Sequence, residues 1–71
     1  MMTAMQLTIN GTPRTFDQPV ATVADVVRAL ALEGKRIAVE RNGEIVPRSR
    51  YVDTEVGAAD RLEIVGAVGG G

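Results

Sequence analysis

The chain has 71 residues, 45% of them hydrophobic, with eight Lys and Arg against nine Asp and Glu, a formal net charge of -1, and neither Cys nor His. Such a length is one small soluble domain, which buries only about 60% of the surface its unfolded chain exposes and leaves little room for an enclosed active site. Without Cys there is no disulfide framework, thiolate nucleophile or thiolate metal site, and without His the usual proton shuttle at neutral pH is missing.

Residues 1–4 carry no periodic pattern and are read as a disordered start with little structural role. Met5, Leu7 and Ile9 alternate with Gln6 and Thr8, the period of a half-buried strand, and Asn10-Gly11 supplies the two positive-φ positions of a type I′ hairpin. Thr12 to Phe16 returns antiparallel; Pro13 cannot donate to a ladder, which assigns this second strand to a sheet edge and the first strand to the interior. Thr22 followed by Asp25 forms a capping box with Asp in place of Glu or Gln. Val23, Val26, Val27 and Leu30 share one helical face, and Gly34 is the expected stop, giving a helix of about three turns with Lys35 and Arg36 near its negative end.

Ile37 to Arg41 is a third strand, Asn42-Gly43 repeats the hairpin signature, and Glu44-Ile45-Val46 is a short return that Pro47 ends. Residues 48–60 have weak periodicity and are read as loop and turn around Tyr51 and Val52. Residues 60–65 alternate again, with Leu62 and Ile64 on one face and Arg61, Glu63 and Val65 on the other. The expected architecture is α+β, one helix packed on one face of a mixed sheet of about five strands, over residues 5–65, with residues 66–71 as a flexible glycine-rich tail.

Few residues invite chemistry. Ser49 has no His to activate it, Lys35 reads as a solvated charge, and the acidic pairs Asp53 with Glu55 and Glu40 with Glu44 lack supporting ligands, so no metal site is expected. Arg36, Arg41, Arg48 and Arg50 form a candidate basic patch, with nine acidic groups available to pair with them. Balanced charge argues against nucleic acid or an anionic membrane as main partner, and two aromatics, Phe16 and Tyr51, make no stacking platform. No apolar run approaches the roughly 20 residues of a membrane span, and the cytoplasm is the expected compartment.

The end of the sequence stands apart, with Gly69, Gly70 and Gly71 in succession after a strand. A stretch without Cβ atoms is narrow enough to enter a channel that larger side chains would block, and residues 66–71 extended reach roughly 20 Å. The group so presented is the Gly71 α-carboxylate, ionised at neutral pH and a poor acyl donor until activated, for instance as an acyl adenylate. No Gly-rich phosphate loop is present, so ATP and Mg²⁺ are expected on a partner, with no cofactor bound by this chain.

"MQLTINGTP", "TVADVVRAL", "VERNGEIVPRSRY" and "LEIVGAVGGG" in this order resemble the thiamine-biosynthesis sulfur carriers of ThiS type, which have the ubiquitin-like β-grasp fold. The resemblance covers residues 5–71 and implies that Gly71 is adenylated by an E1-like enzyme of ThiF type, receives sulfur from a persulfide protein, and passes it as a thiocarboxylate to thiazole synthase of ThiG type. It implies a protein co-substrate rather than an enzyme. Gly70 matches the penultimate glycine of the family; Gly69 stands where a bulkier polar residue is common, and Ala59-Asp60 where Gly-Asp is. A molybdopterin-type carrier and a non-covalent ubiquitin-like binding module remain as alternatives. Partner docking is expected on the solvent face of the sheet near the tail, with Ile45, Val46, Val65 and Val68 as apolar contacts.

Overall fold

A computed structural model describes residues 5–66 of the chain; the start at 1–4 and residues 67–71, among them Val68, Gly69, Gly70 and Gly71, lie outside the described residues. Five strands, β1 (Met5–Ile9), β2 (Thr12–Phe16), β3 (Ile37–Arg41), β4 (Glu44–Val46) and β5 (Arg61–Gly66), form one sheet in the order β2-β1-β5-β3-β4. β1 and β2, β3 and β4, and β3 and β5 pair antiparallel, whereas β1 and β5 pair parallel. The last strand therefore sits in the middle. β2 is an edge strand, where the missing N–H of Pro13 costs nothing, and β1 lies inside, as the edge role of β2 implies.

Both Asn-Gly pairs make the expected turns. Asn10 and Gly11 have φ of 54° and 80°, and Asn42 and Gly43 have 53° and 89°, the positive pair that matches strand twist in a two-residue hairpin. Each Asn also reaches β5: the Asn10 amide accepts from Ile64 N–H at 2.8 Å and donates to Ile64 C=O at 2.9 Å, while Asn42 Oδ1 accepts from Arg61 N–H at 2.9 Å. The parallel register of β1 with β5 covers only Thr8↔Arg61 and Ile9↔Leu62. Asn10 extends that ladder by side chain where the β1 backbone has turned away.

The helix, α1 (Val23–Ala29), is shorter than the apolar spacing suggests, about two turns rather than three, and it ends well before Gly34. Leu30 is its C-cap, and Ala31 takes φ 60°. Leu32 N–H donates to Val27 C=O at 2.9 Å and Ala31 N–H to Arg28 C=O at 3.0 Å, the two bonds of a Schellman motif built on Ala instead of Gly. Gly34, φ 75°, serves a second turn in which Lys35 N–H donates to Leu32 C=O at 3.1 Å. The basic residue of the last helical turn is accordingly Arg28, not Lys35 or Arg36.

At its other end α1 begins with the expected capping box between Thr22 and Asp25. The segment read as loop supplies the rest. A 3-10 turn (Arg48–Arg50) leads into Tyr51, whose C=O accepts from Ala24 N–H at 3.0 Å, and Thr54 C=O accepts from Val23 N–H at 2.9 Å. The first-turn donors that a helix leaves orphaned are thus met by the 51–54 backbone.

Leu7, Ile9, Phe16, Val39, Val46, Leu62 and Ile64 from the sheet meet Val23, Val26 and Val27 from α1, closed by Val20, Tyr51 and Val56. Gly66 belongs to β5, opposite Ile37, so the ordered sheet runs one residue past the expected boundary at 65. Among the described residues no helix is long and apolar enough to cross a membrane.

Candidate functional site: the outer face of the sheet and the end of β5

Strand alternation decides which side chains are available. Leu62 and Ile64 of β5 enter the core, so Arg61, Glu63 and Val65 face outward, and Val65 is 58% exposed. β3 and β4 add Ala38, opposite Val65, and Ile45, opposite Glu40, which itself faces Glu63 across β3 and β5. Ile45 is 73% exposed. The outer face thus carries Val65 with Ala38 in one cross-strand row and Ile45 with Glu40 and Glu63 in the next.

Of the expected docking residues, the described structure brings Ile45 and Val65 to this surface and removes Val46. Val46 is 8% exposed and belongs to the core. Ile45 and Val46 are successive strand residues and must point to opposite faces. Ala38 was not singled out from sequence; its place directly opposite Val65 in the β3–β5 register is what finds it.

β5 delivers the chain toward residue 67 from the sheet centre, held by β1 on one side and β3 on the other. Its start is fixed by Asp60, which accepts from Arg41 Nε at 3.1 Å, Asn42 Nδ2 at 3.0 Å and Gly57 N–H at 2.8 Å. The Asn42 hydrogen bond, with help from Gly57 and Arg41 and against partial desolvation, holds the Asp60 carboxyl below its ordinary 3.8. Ala59 is not among the positive-φ residues, so alanine is tolerated where a glycine is expected.

The four arginines do not form one patch. Arg41 is bound to Asp60, and Arg48 donates to Lys35 C=O at 3.0 Å. Arg41 and Arg50 line a groove of about 280 Å³ beside Ile45 and Pro47. A second groove, of about 240 Å³, lies between α1, the 32–37 segment and the 3-10 turn. Among the described residues no cluster of three or more Asp or Glu side chains is arranged to hold a metal ion.

Against known proteins, the ThiS family model matches residues 7–71. A thiazole synthase of Paramagnetospirillum magneticum is 45% identical over 67 residues, which is 94% of this chain and 20% of that protein; the chain spans about a fifth of that relative's length. The sulfur carrier protein ThiS of Bacillus subtilis is 38% identical over 65 residues, covering 92% of this chain and 98% of that one. The crystal structure of the thiamine biosynthesis protein ThiS from Geobacter metallireducens superposes with a TM-score of 0.78 at 35% identity, over 94% of this chain and 100% of that one.

Proposed function

Because the chain belongs to the ThiS family, we propose that it is a sulfur carrier of thiamine biosynthesis whose reacting group is the α-carboxylate of Gly71. The observation that carries this reading is the family match, which runs through the triglycine segment to residue 71. A partner of ThiF type brings ATP and Mg²⁺. A carboxylate oxygen attacks the α-phosphorus, pyrophosphate leaves, and the acyl adenylate gains the good leaving group that the free carboxylate lacks. A persulfide anion then attacks the acyl carbon and expels AMP, and a thiol that reduces the resulting acyl disulfide leaves the thiocarboxylate. No side chain of this protein takes part, which suits a sequence without Cys or His.

The acceptor is a thiazole synthase of ThiG type. Support comes from the relative of that name, which carries a stretch similar to nearly the whole of this chain within a longer protein. The outer face, through Ile45, Ala38 and Val65, is the docking surface: it carries Ala38 and Val65 in one row and Ile45 beside Glu40 and Glu63 in the next, and it includes the strand that leads to the tail.

Intact-mass measurement of protein from sulfur-replete cells, with fragmentation, tests the reading at the reacting atom. Replacement of one oxygen by sulfur at Gly71 is the expected result. A mass unchanged after incubation with ATP, a sulfur donor and ThiF-type enzymes would overturn it and leave a non-covalent ubiquitin-like binding module.

A further inference from the structure

The proposed function leaves the groove between α1 and the 3-10 turn unused. Buried Val27 and Tyr51 line it together with half-buried Leu32 and Ile37. Val52, on the same groove, is 67% exposed, and of the large hydrophobic residues left bare among those described it is the one outside the outer face, which holds Ile45 and Val65. A bare branched side chain beside an apolar hollow is a place where a partner's side chain can be taken out of water.

The charge around the hollow has one sign in excess. Three cations line it, Arg28, Lys35 and Arg48, against one carboxylate, Glu33. Arg28 is already engaged, by Asp25 at 3.3 Å and Glu33 at 3.5 Å. Among the described residues Lys35 and Arg48 have no carboxylate partner, although the net charge of the chain is -1. Arg48 reaches from the 3-10 turn to the 32–37 segment, where its Nη2 donates to the Lys35 C=O at 3.0 Å. That bond tethers the guanidinium beside Lys35, and a planar fork held in this way loses less freedom when a carboxylate arrives.

Size and charge narrow the occupant. The groove holds about 240 Å³, below the roughly 300–1,000 Å³ of pockets for drug-sized molecules, and suits one or two apolar side chains. Anionic lipid is read by clusters of about four to eight Lys or Arg, and single-stranded nucleic acid needs an exposed aromatic face, whereas Tyr51 is buried. An apolar side chain with a carboxylate close to it in sequence meets both requirements, and a peptide segment supplies that combination.

We infer that this groove is a second interaction surface of the domain, and that its occupant is an acidic, leucine-type apolar segment of a partner protein. The apolar side chain lies among Leu32, Tyr51 and Val52, and the carboxylate sits on Lys35 and Arg48. The inference goes beyond the carrier reading and does not depend on it. The outer face sets its apolar residues beside Glu40 and Glu63, the groove sets its own beside cations, so the two surfaces select partners of opposite charge.

NMR titration of the full chain with acetyl-DDLLDD-amide tests it. The backbone amides of Leu32, Lys35 and Val52 are expected to shift saturably at low-millimolar peptide. Acetyl-NNLLNN-amide, which keeps the leucines and loses the charge, should bind about two- to fivefold more weakly, the range of an exposed ion pair. Lys35→Glu should weaken the acidic peptide by at least that factor and leave the neutral one unchanged, and Val52→Ser should weaken both. Both positions are exposed, so the fold is expected to survive, and unmoved resonances of β1 check that it does. No shift, or shifts centred on Ile45 and Val65, overturns the groove. Equal binding of the two peptides, or no response to Lys35→Glu, overturns the acidic partner. Sulfur at Gly71 is read separately: sulfur there without groove binding removes this surface and keeps the carrier, and groove binding without sulfur does the reverse.

Discussion

Ala31 is the residue that most constrains the helix. Its φ of 60° lies where a Cβ crowds the neighbouring carbonyl, at a cost of roughly 1–2 kcal/mol for a non-glycine residue, yet the Schellman bonds through Ala31 and Leu32 require it. Glycine there removes the crowding and adds unfolded-state entropy, an opposing effect of about 0.4–1 kcal/mol. Ala31→Gly is therefore expected to stabilise the domain by about 0.5 kcal/mol, and to raise Tm by roughly 2–4 °C. Ala31→Val should lower it. Thermal denaturation of both variants checks this, and a lower Tm for the glycine variant would contradict the capping account. The same residue explains why the helix end was misplaced from sequence. Glycine is the usual stop, so Gly34 drew the prediction, and nothing in Leu-Ala-Leu signals that alanine takes the left-handed position.

At the scale of elements, what was legible was local. The Asn-Gly turns, the alternation of β1 and β5, the edge role forced by Pro13 and the Thr22–Asp25 box depend on residues within four positions of one another, and all are present. What was not legible depends on distant partners: Thr54 and Tyr51 carbonyls completing the helix start, Asn10 clamping Ile64, and Asp60 binding Arg41, Asn42 and Gly57. Asp60 joins the 57–60 turn, β3 and the second hairpin, so its titration reports on their assembly. Its carboxyl is held below the ordinary value, so the folded state favours the ionised form. That stabilisation is fully present above the unfolded value of about 3.9 and is lost as pH falls through the lower folded value. Asp25, lowered chiefly by the Ala21 and Thr22 N–H groups, behaves alike. Urea unfolding at pH 7 and pH 3 should show Asp60→Asn costing about 1–2 kcal/mol at pH 7 and losing less than the parent between the two pH values. Equal losses would remove Asp60 from the acid response.

For the whole molecule, the proposed function needs a face that holds the fold to be separate from a face that meets partners, and adjacent residues of β4 make the separation testable. Val46 is one of thirteen buried hydrophobic residues among those described, and Ile45 beside it is almost bare. In a domain whose stability is only about 0.05–0.15 kcal/mol per residue, Val46→Asp buries an unpaired charge and is expected to unfold most of the chain. Ile45→Asp and Val65→Asp change a solvated surface and should leave Tm within a few degrees of the parent, because surface substitutions stay within about 0.5 kcal/mol. If the outer face docks the adenylating enzyme, the same two variants lower kcat/KM for adenylation at least tenfold, through KM more than kcat, since the reacting carboxylate is untouched. Measured together, Tm and kcat/KM separate the alternatives. Folded variants with unchanged kcat/KM would move docking off this face, and low Tm in both would mean that Ile45 and Val65 serve packing rather than recognition. The expected pattern, one strand with an intolerant residue and a tolerant neighbour whose loss is felt only by the partner, follows from the two-residue period of the strand.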